Sequence, residues 1–135
     1  MLDKTSTGIA DSSVTFQPNR HPQLDGNDKK TVCQWNHGGF SHTCYGPDNQ
    51  QFRCGQRIGM EIDISSSPRK LTLFVDDVQQ KNYVINVPQA IRFWACICQK
   101  KSSFIVTKFE IRSSSYACVI GGQRALEWGK EWDNE

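Results

Sequence analysis

Apolar and polar residues alternate on both sides of a short Ser/Pro turn between residues 57 and 78. In this stretch, RIGMEIDISSSPRKLTLFVDDV, the apolar positions are Ile58, Met60, Ile62 and Ile64 in the first run and Leu71, Leu73 and Val75 in the second. Successive side chains of a β-strand point to opposite faces, so a period of two is typical of a strand with one buried face. The pattern predicts a β-hairpin with one apolar and one polar face.

Further strands are predicted at residues 31–36, 40–45, 82–86, 91–97 and 104–112, because Gly, Pro, Ser and Asn residues separate these runs at intervals of about ten residues. The run at 91–97 is largely apolar on both faces, which predicts a central strand with Trp94 in the core. The run at 104–112 is predicted to return as the next strand. Short strands joined by such turns favour an all-β fold and, within it, an antiparallel β-sandwich.

The two ends of the chain differ from this strand-rich part. Residues 1–30 are rich in Ser, Thr, Asp, Asn, Gly and Pro, which predicts an irregular N-terminal arm. We assign the sandwich to residues 31–113 and a short C-terminal tail to residues 114–135. Trp128 and Trp132 in the tail are spaced so that one helical turn would place both on one side. The tail is predicted to fold back over the sandwich, and an aromatic motif for a partner is the alternative.

Length and charge exclude several classes of protein. A chain of 135 residues has room for one domain with a sizeable core. The formal net charge is only +2, and the basic pairs at 29–30, 69–70 and 100–101 are scattered along predicted loops. Nucleic-acid-binding proteins concentrate such charge on one face. We therefore predict that the chain has no nucleic-acid partner.

No apolar run in the sequence has the length of a signal peptide or of a transmembrane segment. This predicts a cytoplasmic, intracellular protein with no membrane partner. In that setting the six cysteines are expected to be mostly reduced thiols, since disulfides persist mainly in oxidising compartments.

Cysteine and histidine residues near the middle of the chain raise the alternative of a zinc site. Thiolate and imidazole groups are the usual ligands of zinc, and the candidates are Cys33, His37, His42, Cys44 and Cys54. Structural zinc sites usually take ligands in close pairs such as C-x2-C, and this sequence has no such pair. We therefore predict no metal and no cofactor, and a small zinc-binding module is kept as a secondary alternative.

A catalytic alternative rests on Glu61-Ile62-Asp63-Ile64, which is similar to the E-I-D-I strand of laminarinase-like glycoside hydrolases. Glu61 and Asp63 could supply a nucleophile and its helper, but the acid/base should follow at 65–67, where all three residues are serine. A serine hydroxyl does not protonate a leaving oxygen at useful rates. We predict that the chain is not an enzyme, and an inactive or degenerate concanavalin-type glycan-binding or glycoside hydrolase-like domain is the alternative function.

Several short motifs follow one another along the chain: Trp35-Asn36-His37-Gly38-Gly39, Cys44-Tyr45-Gly46, Gly59-Met60-Glu61-Ile62-Asp63, KLTLFVDD at 70–77, Asn86-Val87-Pro88 and IRFWACI at 91–97. The order of these motifs resembles the C-terminal half of a SPRY (B30.2-like) domain. The resemblance covers about residues 31–112 and implies a concanavalin A-like sandwich. That family has several further strands ahead of the position of Trp35, where this chain has only loop-like sequence, so it stays open whether the sandwich lacks its N-terminal strands.

The resemblance implies a non-catalytic protein–protein interaction module that recognises a protein or peptide through loops at one end of the sandwich. The loops in question are those at residues 35–40, 46–51 and 100–103, where aromatic and polar groups mix. The candidate binding residues are Trp35, His37, Phe40, Tyr45, Asp48, Asn49, Lys100 and Lys101. The sequence does not identify the partner or the oligomeric state.

Overall fold

The computed structural model describes residues 5–97 and 101–133. Nearly all regular structure in these residues is β, apart from a short 3-10 helix at Asn27–Lys30. The strands are β1 (Ser6–Asp11), β2 (Thr31–Trp35), β3 (Phe40–His42), β4 (Cys44–Tyr45), β5 (Ile58–Asp63), β6 (Lys70–Val75), β7 (Val78–Gln79), β8 (Asn82–Ile85), β9 (Ile91–Cys96) and β10 (Arg124–Glu127). The prediction of an all-β chain is confirmed, and within the described ranges no helix has the length and apolarity needed to cross a membrane.

The strands form two sheets. The first is antiparallel throughout and has the order β4-β3-β2-β1-β9. The second has the order β10-β8-β6-β5, with β7 paired to β6 beside this path. Its pairs are antiparallel except for β10 and β8, which run parallel, so the second sheet is mixed.

The hairpin predicted between residues 57 and 78 is present as β5 and β6. Its register pairs apolar residues with apolar residues: Ile58 with Val75, Met60 with Leu73, and Ile62 with Leu71. Such cross-strand pairs stabilise a hairpin and fix its register. The next turn has positive φ angles at Asp76 and Asp77, 47° and 65°, which Asp tolerates better than most residues.

Apolar side chains of the two sheets share one hydrophobic cluster. Its buried members are Ile9, Val32 and Phe40 from the first sheet, Leu71, Leu73, Val84 and Leu126 from the second, and Val87 and Trp132 from connecting segments. Burying a side chain of this size stabilises the folded state by roughly 1.5–3 kcal/mol relative to leaving it exposed. The contact between the two sheets therefore stabilises the folded state.

The N-terminal arm differs from its prediction as an irregular segment. Ser6–Asp11 forms β1 in the interior of the first sheet, between β2 and β9. Its sequence, STGIAD, has the composition of a loop, yet Ile9 is completely buried in the core. A Cβ at Gly8 would overlap the carbonyl oxygen of Val32 and approach the ring of Trp94, so only glycine fits. Tertiary packing overrides local propensity here.

A smaller apolar cluster lies on the other face of the first sheet. It contains Ala10 and Cys33 from the strands together with Val14 from the arm, and Phe16 is partly buried against it. The residues of the arm that follow β1 therefore cover this face. Trp94 belongs to the same cluster and is buried, which confirms its prediction as a core residue.

The predicted central position of β9 is wrong. Among the described residues β9 pairs only with β1, so it lies at an edge of the first sheet. The strand predicted at 104–112 is absent as well, since this segment joins neither sheet and its side chains are exposed. Alternation indicates which faces of a run are apolar, but it does not indicate which runs pair.

The C-terminal tail folds back onto the sheets, as predicted. Its strand β10 joins the second sheet beside β8, and Trp132 is only 6% exposed. The helical turn considered for Trp128 and Trp132 does not form in the described part of the tail. Both indole rings instead pack against His42, at centroid distances of 4.6 and 5.3 Å.

Candidate binding surface

Trp35 and His37, two of the predicted binding residues, lie at the turn between β2 and β3, and hydrogen bonds fix the backbone of this turn. The Trp35 N–H donates to the Gly39 carbonyl at 2.8 Å, and the Gly38 N–H donates to the Trp35 carbonyl at 3.0 Å. Gly38 has a φ of 99°, which glycine adopts without steric cost. The imidazole Nδ1 of His37 accepts the Gly39 N–H at 3.2 Å, so the turn also holds this ring.

Four aromatic rings meet at this turn, and we call His21, Trp35, His37 and Tyr45 the ring cluster. His21 stacks on Trp35 with a centroid distance of 4.4 Å and an interplanar angle of 9°. His37 lies nearly parallel to the same indole at 5.9 Å, and Tyr45 is tilted against His37 at 6.4 Å. The indole Nε1–H donates to the Ser41 hydroxyl at 3.3 Å, which fixes the orientation of Trp35.

Two members of the ring cluster are open to solvent. Tyr45 is 50% exposed and His37 is exposed, whereas Trp35 and His21 are half-buried. Both exposed rings pack over Gly39, where a Cβ would come within 2.5 Å of the His37 ring and 3.0 Å of the Tyr45 ring. Partial burial raises the pKa of the Tyr45 hydroxyl, so it remains a hydrogen-bond donor at neutral pH. A tyrosine with a packed ring and a free hydroxyl is typical of binding interfaces.

His21 is the neutral inner member of the ring cluster. Its Nδ1 accepts the Gln23 N–H at 3.1 Å, which leaves the proton of the neutral ring on Nε2, 3.1 Å from the Ser6 hydroxyl. Burial lowers the pKa of His21 below its ordinary value. At neutral pH the stack with Trp35 is therefore formed by two uncharged rings.

A shallow groove of about 410 Å³ adjoins the ring cluster. It is lined by Asp48, Asn49 and Gln50 from the loop after β4 and by Val78, Gln79, Gln80 and Lys81 from β7 and the turn that follows it. The Asn49 N–H donates to the Gly38 carbonyl at 2.9 Å, which joins this loop to the turn that carries His37. The groove is rich in amide groups, which both donate and accept hydrogen bonds.

Internal hydrogen bonds hold the wall of the groove in place. Asn82 donates from its side-chain amide to the Asp48 carbonyl at 2.8 Å, and its backbone N–H donates to the Asn49 side chain at 3.2 Å. The Gln80 side-chain oxygen accepts the Gln50 N–H at 2.7 Å. Asn49 and Gln80 are thus structural, while the charged groups of Asp48 and Lys81 lie on exposed side chains.

The structure brings most of the predicted binding residues together on this surface. Trp35, His37 and Tyr45 belong to the ring cluster, and Asp48 and Asn49 line the groove. His21 and the groove residues 78–81 were not predicted. No local signal marks His21, because it reaches Trp35 only through the folding of the arm over the sheet.

The structure does not place the other three predicted residues on this surface. The prediction for Phe40 is wrong, since this side chain is completely buried against Trp132 at a centroid distance of 5.1 Å. Lys101 is exposed, with a φ of 65°, and it makes no hydrogen bond, ion pair or ring contact to the described residues of the ring cluster or the groove. Lys100 lies outside the described residues.

The hairpin carboxylates considered for catalysis accept hydrogen bonds from nearby backbone N–H groups and serine hydroxyls. Glu61 accepts the hydroxyl of Ser115 and the N–H groups of residues 116 and 117, at 2.8 and 3.2 Å. Asp63 accepts the Ser65 hydroxyl at 2.9 Å and the N–H groups of residues 65 and 66 at 3.1 Å. These bonds, chiefly the one from the Ser65 hydroxyl, hold the pKa of Asp63 below its usual value.

Of the residues considered for a zinc site, His42 and Cys44 are paired in the ladder between β3 and β4, but their polar side-chain atoms bond to other groups. The Cys44 thiol donates to the Trp132 carbonyl at 3.2 Å, His42 bonds to backbone groups on both sides of its ring, and Cys54 is exposed. Desolvation strongly raises the pKa of the buried Cys33 thiol, so it is not a thiolate at neutral pH. No group of three or more His, Cys, Asp or Glu residues within 5–97 and 101–133 could hold a metal ion.

Comparison with known proteins gives no relative: no family model, curated protein or solved structure matches the chain.

Proposed function

We propose that the chain is a non-catalytic binding module that recognises a protein or peptide through the ring cluster and the adjoining groove. The observation that carries this proposal is the exposure of Tyr45 and His37 on a hydrogen-bonded turn, next to a groove rich in amide groups. Rings that are already oriented lose little conformational entropy when a ligand binds. Tyr and Trp are also enriched among the residues that dominate binding energy.

The ligand that fits this surface best is an extended peptide. An apolar or proline side chain would pack against Tyr45 and His37, while the peptide backbone would bond to polar groups along the groove. The exposed side chains of Asp48 and Lys81 at the groove carry opposite charges, so they favour a ligand with charged groups of both signs.

We also propose that the two sheets form a β-sandwich of the SPRY, concanavalin A-like type. The hydrophobic cluster shared by the sheets and the hairpin of β5 and β6 support this assignment. A binding surface on neighbouring loops is what the resemblance to that family implies, and here the loop 46–51 is bonded to the turn 36–39. The hydrogen bonds of Glu61 and Asp63 support a non-catalytic role for the hairpin.

Selection of a displayed library of random linear peptides against the folded protein tests this proposal. We expect enriched peptides whose affinity falls about tenfold or more for the Tyr45→Ala variant, which corresponds to at least about 1.4 kcal/mol. Tyr116→Ala is the matched control, since Tyr116 is 57% exposed and lies outside the ring cluster and the groove. Failure to enrich any peptide, or equal losses for the two variants, would overturn the proposed surface.

A further inference from the structure

Residues 104–111, FIVTKFEI, form an apolar segment that the described part of the chain leaves uncovered. Ile105 is 82% exposed, Phe109 is 80% exposed and Ile111 is 99% exposed. Single exposed apolar residues are normal on protein surfaces, but a contiguous apolar patch marks an interaction site. We call this stretch the exposed segment.

The exposed segment has a charged face and an apolar face. Lys108 Nζ lies 3.6 Å from Glu110 Oε1, and Arg112 Nη1 lies 3.2 Å from the same oxygen. These three side chains therefore share one face, as alternate residues of an extended chain do. By the same alternation, the opposite face consists of Ile105, Thr107, Phe109 and Ile111, while Phe104 and Val106 lie on the face that carries the charged side chains.

The backbone of the exposed segment is open to strand pairing. Its N–H and C=O groups make no hydrogen bond to any residue that the structure describes. The segment approaches the edge strand β9, where Phe93 and Phe109 pack edge to face at 6.0 Å. An extended apolar run with unpaired backbone groups is a template for pairing with another strand.

We infer that the exposed segment pairs antiparallel with the same segment of a second copy of this chain, with the two Phe109 residues opposite each other. In this register Lys108 of each copy lies opposite Glu110 of the other, and Thr107 lies opposite Ile111. Opposite charges that face each other across two strands attract. The two-fold axis of such a dimer forms both Lys–Glu pairs at once.

The charges select this register over its neighbours. A shift by two residues in one direction places Lys108 opposite Lys108 of the second copy, and a shift in the other direction places Glu110 opposite Glu110. Either alternative brings like charges together. A shift by one residue puts apolar side chains of one copy among the charged side chains of the other. The charges of the exposed segment thus complement those of an antiparallel copy of the same segment. An unrelated strand would not require this match, so the occupant is a second copy of the chain.

Sedimentation velocity of the purified protein over a range of micromolar concentrations tests the dimer. We expect reversible dimerisation, weakened about tenfold or more in Kd by Lys108→Glu alone and by Glu110→Lys alone, because each change places like charges opposite each other twice. An equimolar mixture of the two single variants should recover the wild-type affinity as a heterodimer, since every introduced glutamate then faces a lysine.

The control variant is Lys130→Glu, which breaks the 3.3 Å ion pair with Glu127 on another part of the surface and should leave the Kd unchanged. All these positions are on the surface, and circular dichroism confirms that each variant is folded. A wild-type protein that stays monomeric throughout would overturn the inference. So would a dimer that ignores the single charge changes, or a mixture that does not recover, which would point to another occupant of the exposed segment.

Discussion

Replacement of Trp132 by alanine tests whether the C-terminal tail is part of the core. The indole is 6% exposed and packs against Phe40 and His42 at centroid distances of 5.1 and 5.3 Å. It also leaves no room at Gly46, where a Cβ would lie 2.9 Å from the ring. Its Nε1–H donates to the Glu127 carbonyl at 3.0 Å. The ring therefore links the tail, β3 and the loop after β4.

Trp132→Ala removes all of these contacts together. Truncation of a buried aromatic side chain to alanine costs about 3–5 kcal/mol, and the hydrogen bond to the Glu127 carbonyl contributes about 1 kcal/mol within that range. The free energy of unfolding of a domain of this size is roughly 5–15 kcal/mol, so the variant should lose a large part of its stability. Trp132→Phe keeps an aromatic ring at the site and should lose only about 1–2 kcal/mol.

Urea unfolding followed by far-ultraviolet circular dichroism measures these differences. Tyr116→Ala serves as a surface control, which we expect to stay within about 0.5 kcal/mol of the wild type. The reasoning would be refuted if Trp132→Ala lost less than about 1 kcal/mol, because a side chain that packs in the core cannot be removed at so small a cost.

Three further predictions concern titration, backbone packing and the hairpin carboxylate. Burial lowers the pKa of His21 and His42 below the ordinary value of 6.5, so the unfolded chain takes up protons at a higher pH than the native state does. The free energy of unfolding should therefore fall as the pH drops below 6.5. A urea midpoint that does not change between pH 7 and about 5 would contradict this. Gly8→Ala should destabilise the protein by about 1–3 kcal/mol, because the added Cβ would overlap a backbone carbonyl of β2. Gly121→Ala is the control for the same unfolding assay and should have little effect, because the space around Gly121 is open. Glu61→Gln should release the loop that this carboxylate holds and speed its cleavage in limited proteolysis, and an unchanged cleavage rate would show that the hydrogen bonds do not restrain the loop.

The sequence was sufficient to predict strands that have a clear apolar alternation or turn residues at their ends. The hairpin of β5 and β6 and the short strand β8 follow from local pattern and turn residues. The strand β1 could not be predicted, because Gly8 looks like a loop residue until Trp94 packs over it. The edge position of β9 depends on which strands pair, and pairing is a property of the whole chain.

In the candidate site, too, some features follow from local sequence and others depend on how the strands pair. Trp35 and His37 lie in one short motif and Tyr45 lies in the next motif along the chain, so short motifs were enough to propose all three as binding residues. Phe40 is opposite Gln34 in the ladder between β2 and β3, which places it on the core face and away from Trp35. That orientation depends on the register of the two strands, and the aromatic character of Phe40 does not predict it.

Mapping of peptide binding by nuclear magnetic resonance tests the proposed function most directly. A peptide selected from the random library is titrated into isotopically labelled protein, and the backbone amide signals are followed. The proposed function predicts the largest shifts in residues 36–39, 45–50 and 78–81, around the ring cluster and the groove. Shifts confined to the exposed segment at 104–111, or to the hairpin at 58–75, would contradict it.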